Sequence, residues 1–275
     1  MRMIFHNIGQ LIMAVAVTMS APFCVSATEI AVTLPPLAGL VSMLDKQMQV
    51  ICLLPAGADP HHFQLTPRRI EALSRTQLLI RASFDDGGWP LPPSHAHTLN
   101  LWPATGHGWL NPQTVRTALP LIGNALTRLH PEQEQAITAS LHQALKQTRD
   151  IEQAWHEALS AAKVSGILMQ HPAWRGLMQS MDVPVFAVLE STHHGHEHGP
   201  HKLEHALATL NQHPDAWLLA DSNHSNRALD WLARHSAHRP HRITLNALGD
   251  CGLPWPQLML QNIAQIRTMS EQARP

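Results

Sequence analysis

The stretch 57-GADPHHFQLTP-67 separates a predicted buried strand from a predicted helix. The apolar run VICLLP at 50–55 precedes it and is typical of a strand covered on both faces. Thr66 is a helix-capping residue type, and Pro67 suits the first position of a helix. His61 therefore lies in the loop after a strand's carboxyl end, where open α/β sheets usually bind ligands. An imidazole there can ligate a metal, carry a proton or face solvent.

The same arrangement occurs twice more along the chain. The run TLNLW at 98–102 precedes GHGWLNP, which contains His107, and the run GILMQ at 166–170 ends directly on HPAW, which begins with His171. Each of these His follows a predicted strand and precedes a predicted helix. Three imidazoles with a fourth position left open form a common zinc arrangement, so the repetition favours a metal site.

The motifs PHxF…TP, HxWLNP and HPAW, in this order, resemble those of the metal-binding proteins of bacterial zinc and manganese ABC importers. These are the cluster A-I, ZnuA/TroA-type solute-binding proteins, and the resemblance covers essentially the whole chain after the leader. It implies that His61, His107 and His171 ligate Zn²⁺ as a transported ligand. It also implies a non-enzymatic protein whose partner is an inner-membrane ABC permease. His62 is expected to face solvent or to support a ligand.

Predicted strands and helices alternate along the chain, which indicates an α/β fold with mainly parallel sheets flanked by helices. Pro120 is expected to kink or interrupt the helix that begins at Pro112. A further helical stretch of roughly 45 Å extends from Pro131 to about Ala162. The resemblance implies that it joins two lobes, with the metal site in the cleft between them. The predicted organisation is a signal peptide at 1–27, an N-terminal lobe at 28–130, a linking helix at 131–162 and a C-terminal lobe at 163–275.

The N-terminus has the pattern of a secretory leader. Arg2 supplies a positive charge, residues 8–19 are mainly apolar, and Val25-Ser26-Ala27 is a small-residue cleavage site. We expect cleavage after Ala27, giving a periplasmic protein. The apolar part is too short for a permanent anchor, which needs about 20 residues.

Composition narrows the function classes. The net charge is -1 and charged residues make up 14% of the chain, so no basic surface is predicted for nucleic-acid binding. The chain is expected to be a monomer. Its 21 His are the compositional outlier. After cleavage two Cys remain, Cys52 and Cys251, which are either free or joined in a disulfide.

The fourth metal position is open at the level of sequence. In the family that the chain resembles, a carboxylate often follows the last strand, and the matching position here is Asn246. Water, Asn246, Glu190 or a loop His can fill it, or Asn246 can be a turn residue. Three imidazoles without a carboxylate favour zinc over manganese, which prefers oxygen ligands.

The segment 192-THHGHEHGPH-201 is rich in His, Gly and charge, and predicts a loop. One hypothesis is that it captures zinc weakly and passes it to the cleft; the other is a solvated tract that binds metal only incidentally. The His concerned are His193, His194, His196, His198 and His201. Solvated positions are expected for His95 and His97, and surface positions for His224, His235, His238 and His241.

Two other functions share the same residues. A zinc-dependent hydrolase can use three His and a water, but it needs a general base, for which Glu190 is the candidate, and no His-Glu-x-x-His motif occurs. A periplasmic zinc buffer or chaperone would act through the His-rich segment alone. It would therefore tolerate replacement of His61, His107 and His171.

Overall fold

The first sheet is formed by four parallel strands. A computed structural model describes residues 30–91, 97–190 and 199–272. The strands are β1 (Ile30–Val32), β2 (Val50–Cys52), β3 (Leu78–Ser83) and β4 (Thr98–Trp102), in the order β2-β1-β3-β4. The helices α1 (Pro35–Leu44), α2 (Pro67–Ser74) and α3 (Pro112–Leu129) accompany them. Proline begins all three helices, which suits a position whose N–H has no intrahelical partner.

A single long helix follows the first sheet. After a 3-10 turn at Pro131–Gln133, α4 (Glu134–Ala162) has 29 residues, which gives about 44 Å. Its buried side chains recur at helical spacing, from Ile137 through Ile151 to Leu159. It packs against α1, α3 and the last helix of the chain, so it contacts elements from both ends of the sequence.

The second sheet repeats the strand order of the first. Its parallel strands are β5 (Ile167–Met169), β6 (Val185–Val188), β7 (Trp217–Asp221) and β8 (His241–Leu245), in the order β6-β5-β7-β8. The helices are α5 (Arg175–Ser180), α6 (Pro200–Gln212), α7 (Arg227–His235) and α8 (Trp255–Gln272). In both sheets, therefore, the first and third strands in sequence are central, and the second and fourth form the edges.

A continuous apolar core connects the two halves of the molecule. One cluster of buried residues includes side chains from β1, α4, β5 and α8. The Trp109 indole donates to the Ala247 carbonyl at 2.7 Å, and the Trp255 indole donates to the Trp109 carbonyl at 2.6 Å. A Cβ on Gly39 of α1 would lie 2.6 Å from the Leu253 carbonyl oxygen, so only glycine permits this close approach. A smaller cluster lies under α6 and α7.

The structure confirms the predicted α/β fold with two parallel sheets, flanking helices and a long helix between them. Pro120 does not interrupt α3, which continues through it as one element of 18 residues. Within the described ranges, no helix combines the length and apolarity that a membrane crossing requires. The predicted boundaries at 130 and 162 stay predictions, and the predicted leader lies outside the described residues.

Candidate metal site

His61 lies in the long loop after β2, which several side chains hold in place. Arg69 of α2 donates to the carbonyl of Cys52, where the loop begins, at 2.9 Å. The Trp89 indole donates to the Pro60 carbonyl at 2.9 Å. Asp59 accepts the backbone N–H of His61 at 2.9 Å. The backbone beside His61 is thus anchored, whereas His61 itself is exposed.

His107 follows β4 in a conformation that non-glycine residues adopt infrequently. Its φ is 56°, in the left-handed region. The Asp85 carboxylate stabilises this turn by accepting the His107 backbone N–H at 2.9 Å, and lies 3.4 Å from the ring Nδ1. The next residue must be glycine, because a Cβ on Gly108 would lie 2.4 Å from the Trp102 ring. These contacts leave the His107 side chain only 9% exposed.

His171 comes directly after the central strand β5 and is buried. Its Nδ1 lies 3.6 Å from Oε2 of Glu190, the residue that follows β6 at the neighbouring edge. The Gln170 amide donates to Oε1 of Glu190 at 2.7 Å and fixes this carboxylate. Burial alone would raise the pKa of Glu190, but the His171 and Gln170 side chains bring it below its ordinary value.

The three imidazoles converge on one point. Nε2 of His107 and Nε2 of His171 are 3.0 Å apart, and one ring nitrogen of each of the three His lies within 4.8 Å of the others. Two nitrogens on a tetrahedral zinc are separated by roughly 3.3 Å, so the spacing of His107 and His171 is close to that of a shared ion. Their rings meet at 75°, which allows both lone pairs to aim at one centre.

The protonation states of the imidazole rings favour the binding of a cation. Partial removal of the ring from water, and then electrostatic repulsion by the neighbouring His171, lower the pKa of His61 to about 4; burial and the same neighbour lower the pKa of His107 well below its ordinary value. Both rings are therefore neutral near pH 7, the state in which imidazole ligates metals. Asp85 and Glu190 lie on the Nδ1 side of their His partners, so an Nδ1–H directed at each carboxylate leaves Nε2 free for an ion.

Asn246 makes contacts typical of a turn. Its side-chain oxygen accepts the backbone N–H groups of Leu248 at 3.0 Å and Gly249 at 2.8 Å, so both lone pairs are used. The Asn262 amide also donates to the Asn246 carbonyl at 2.9 Å. These bonds correspond to the turn alternative that the sequence left open, and the fourth ligand stays unassigned.

The expected surface position of His224 is wrong. Its side chain is 10% exposed, and it belongs with His171 and Glu190 to a second group of potential ligands. Sequence reasoning grouped it by composition with His235, His238 and His241. The rule that located the three converging His applies to it as well, since His224 follows the carboxyl end of β7.

The remaining predicted His are exposed, half-buried or outside the described residues. His235 is exposed as expected, whereas His238 and His241 are half-buried. His62 and His97 are exposed, and His62 bonds the Asp59 carboxylate at 2.8 Å. His201, in the first turn of α6, is fully exposed and lies 3.7 Å from Glu204. The others lie outside the described residues: His95, His193, His194, His196 and His198.

A disulfide connects the two halves of the molecule near the site. Cys52 and Cys251 are bonded, with their Cα atoms 6.0 Å apart. Cys52 ends β2, at the base of the loop that carries His61, and Cys251 lies in the turn that follows Asn246. The open question of the two thiols is thereby resolved, and the His61 loop is covalently tied to the second sheet.

The sequence matches a family model described as the periplasmic component A of the zinc-uptake complex, ZnuA, over residues 30–269. The chain belongs to the ZnuA family. This family consists of solute-binding proteins and is not a class of enzymes. No curated protein sequence is similar enough to count as a match.

Solved structures share the fold of this chain. A ZnuA crystal structure has a TM-score of 0.76 at 18% identity, covering 89% of this chain and 98% of that chain. A zinc-bound ZnuA mutant lacking residues 138–173 has a TM-score of 0.75 at 17% identity, covering 90% and 100%. The SBP FpvC of Pseudomonas aeruginosa with Ni²⁺ has a TM-score of 0.72 at 18% identity, covering 90% and 98%.

Proposed function

We propose that this protein captures Zn²⁺ with His61, His107 and His171 in the cleft between its two sheets, in the periplasm, and delivers the ion to an inner-membrane ABC permease. The observation that carries the proposal is the convergence of three imidazoles from separate parts of the chain, two of them with lowered pKa values, on one point. In this proposal Zn²⁺ is the transported substrate, and membership in a zinc-uptake family supports delivery to a permease.

The donor set favours zinc over manganese. The three converging donors are all nitrogens, whereas Mn²⁺ prefers carboxylate and water oxygens. Asp85 and Glu190 face the Nδ1 atoms of His107 and His171 and act as supports for these rings. Similar structures have been solved with zinc, Ni²⁺, Mn²⁺ and Cd²⁺, and copper binds nitrogen sites tightly in vitro by the Irving–Williams order. Selectivity in the cell therefore depends on metal supply and on the permease.

The His-rich segment has an auxiliary role in this proposal. His193, His194, His196, His198 and His201 collect zinc weakly and raise its concentration near the cleft. Deletion of residues 193–198 should leave the tight site intact, lower the number of weakly bound ions and slow uptake when zinc is scarce. Unchanged stoichiometry together with unchanged uptake would contradict this role.

The central test measures zinc binding and zinc-dependent stability in the purified mature chain. We expect one tight Zn²⁺ per chain, and stabilisation by about 2.7 kcal/mol at a free zinc concentration of 100 Kd. The triple variant His61→Ala, His107→Ala, His171→Ala should lose both, whereas a variant with three exposed His replaced, His62→Ala, His97→Ala and His235→Ala, should keep them. A zinc-independent melting temperature in the unmodified protein would overturn the proposal.

Delivery needs a cellular test. In cells lacking their own zinc receptor, the gene should restore growth under zinc chelation only when a functional zinc permease is present. Growth that is equally restored without a permease would point to a zinc buffer. Growth that is restored by the triple His variant would show that zinc delivery does not need the cleft site.

A further inference from the structure

His224 contacts the candidate metal site in a way that differs from the three converging His. Its ring is stacked on the His171 ring, with centroids 4.0 Å apart and planes inclined by only 13°. By contrast, the His107 and His171 rings are inclined by 75°. The lone pair of an imidazole lies in the ring plane, so two rings that share an ion need planes that meet at that ion. Nearly parallel planes do not meet at a point about 2 Å from both rings.

This geometry also decides what the second group of potential ligands can do. His171, Glu190 and His224 have ligand atoms within 4.8 Å of one another. The stacked His171 and His224 rings nevertheless cannot direct their lone pairs to one cation without leaving the stack. Proximity alone therefore does not make this group a second metal site, and the role of His224 must come from its ring face and its edge.

The backbone of His224 is held by a side chain of its own loop. The Asn226 amide donates to the carbonyl of Asp221 at 3.0 Å and to that of His224 at 3.1 Å. Its side-chain oxygen accepts the Asp221 N–H at 3.2 Å, which closes the loop on itself. The position of His224 over His171 is thus built into the turn that follows β7.

The edge of the same ring reaches the other half of the molecule. Nδ1 of His224 lies 3.7 Å from Oδ2 of Asp59. Asp59 accepts the backbone N–H of His61 and bonds the ring of His62, so it is part of the loop that presents His61. One imidazole therefore touches a ligand of the second sheet by its face and the ligand loop of the first sheet by its edge.

We propose that His224 is a positioning residue, not a ligand. It holds the His171 ring by stacking, and its edge limits the movement of the His61 loop by contact with Asp59, at a distance too long for a hydrogen bond, so that both ligands are in place before the ion arrives. This inference rests on the proposed function, because it takes His61, His107 and His171 as the ligands. A site ordered in advance loses less conformational freedom on binding, and the bound ion leaves more slowly.

The test compares three side chains at position 224 in the full mature chain, with Zn²⁺ as the probe. His224→Ala removes both the ring face and the edge. His224→Phe keeps an aromatic face over His171 but has no nitrogen with which to ligate. We expect His224→Ala to weaken zinc binding about 10–100-fold, the range seen when groups supporting a metal ligand are lost. His224→Phe should recover most of this loss, and chelator-induced zinc release should be fast only in the Ala variant.

Co²⁺ provides a second readout, because its absorption bands report the number and type of ligands. The bands should be the same in the unmodified protein and in His224→Phe. Asp59→Asn keeps an acceptor for the His61 N–H while removing the charge near His224, and should weaken zinc binding less than His224→Ala does. Matching near-UV spectra and melting temperatures of the metal-free proteins establish that the variants fold alike.

The outcomes separate the possibilities. Equal loss in the Phe and Ala variants together with altered Co²⁺ bands would make His224 a ligand and overturn the inference. Unchanged zinc affinity in His224→Ala would show that His224 does not position the ligands. If that variant fails to fold, the zinc affinities of His224→Phe and Asp59→Asn still test the inference. Failure of the unmodified protein to bind Zn²⁺ would overturn the proposed function itself, and this inference with it.

Discussion

The two sheets have the same strand order but present their His from different positions. The first sheet places His61 and His107 after its edge strands β2 and β4, whereas the second places His171 and His224 after its central strands β5 and β7. A loop that follows an edge strand has a neighbouring strand on one side only, and His61 remains exposed. Loops from central strands are enclosed, and the His171 side chain is only 4% exposed. The second sheet therefore supplies only enclosed rings, whereas the first sheet supplies one enclosed ring, His107, and the accessible part of the site, His61.

The largest expected effect tests this difference at the ligands themselves. If three ligands share the ~10–16 kcal/mol typical of structural zinc, each contributes about 3–5 kcal/mol. His171→Ala should lose that amount, whereas His61→Ala should lose less, because water can reach and replace an exposed ligand. Competition with a chromophoric chelator measures both, with His62→Ala as the matched control. A greater loss for His61→Ala would reverse the assignment of enclosed and accessible rings.

The disulfide offers the next test, since it ties the His61 loop to the second sheet. Replacing Cys52 and Cys251 together by Ser should lower the free energy of unfolding by about 2–4 kcal/mol, because the bond closes a long loop in the unfolded chain. The sequence separation is 199 residues. Urea denaturation of the oxidised protein and of the double variant measures the difference. Equal unfolding midpoints would show that the apolar core alone joins the two sheets.

Asp85 allows a comparison of the two His of the first sheet, because it restrains the side chain of His107 more than that of His61 is restrained. Asp85→Asn keeps the size of the side chain but removes the carboxylate beside Nδ1 of His107. Zinc affinity should fall about 10–100-fold. Calorimetric titration measures this loss, and the exposed Asp215→Asn serves as the control. An unchanged affinity would mean that the backbone turn alone orients His107.

The smallest expected effect is on the pH dependence of the stability of the metal-free protein. The pKa of His61 is about 4 in the folded chain and near its ordinary 6.5 in the unfolded chain. The unfolded chain therefore binds more protons between these values, so this group's contribution to stability is full above pH 6.5 and is lost as pH falls towards 4. Asp85, whose pKa burial raises to about 7, contributes in the opposite direction. His61→Gln should remove the part of the pH dependence that rises between pH 4.5 and 7, so the urea midpoint should gain less over this range than in the unmodified protein, and an identical dependence would contradict the shift.

Much of the fold could be predicted because parallel strands buried on both faces have apolar sequences. The runs at 98–102 and 166–170 located β4 and β5 to within a residue. The strand predicted from the apolar run at 50–55 is too long, since only Val50–Cys52 pair with β1. Pro120 shows the limit of local rules, because packing of α3 against α4 maintains the helix across a residue that disfavours it.

The candidate site was predictable only in part. His61, His107 and His171 could be found from their places after strands, but nothing in a linear sequence says that Asp85 approaches His107 across 22 positions. Glu190 and His224 were visible as residue types, yet their contacts with His171 depend on which strands are neighbours in the sheet. The stacking of His224 depends in addition on ring orientation, which only the folded chain defines.

The packing of α8 has a consequence for how the molecule is made. Trp255 and its helix cover α1, which is among the first elements to be synthesised. A chain emerging from the ribosome therefore leaves one face of α1 bare until the final helix has been translated. Part of the interior of the N-terminal half is therefore covered only when the last helix is available. For a member of a periplasmic family, this delay is useful, because a chain that has not yet closed is easier to thread through a narrow translocation channel.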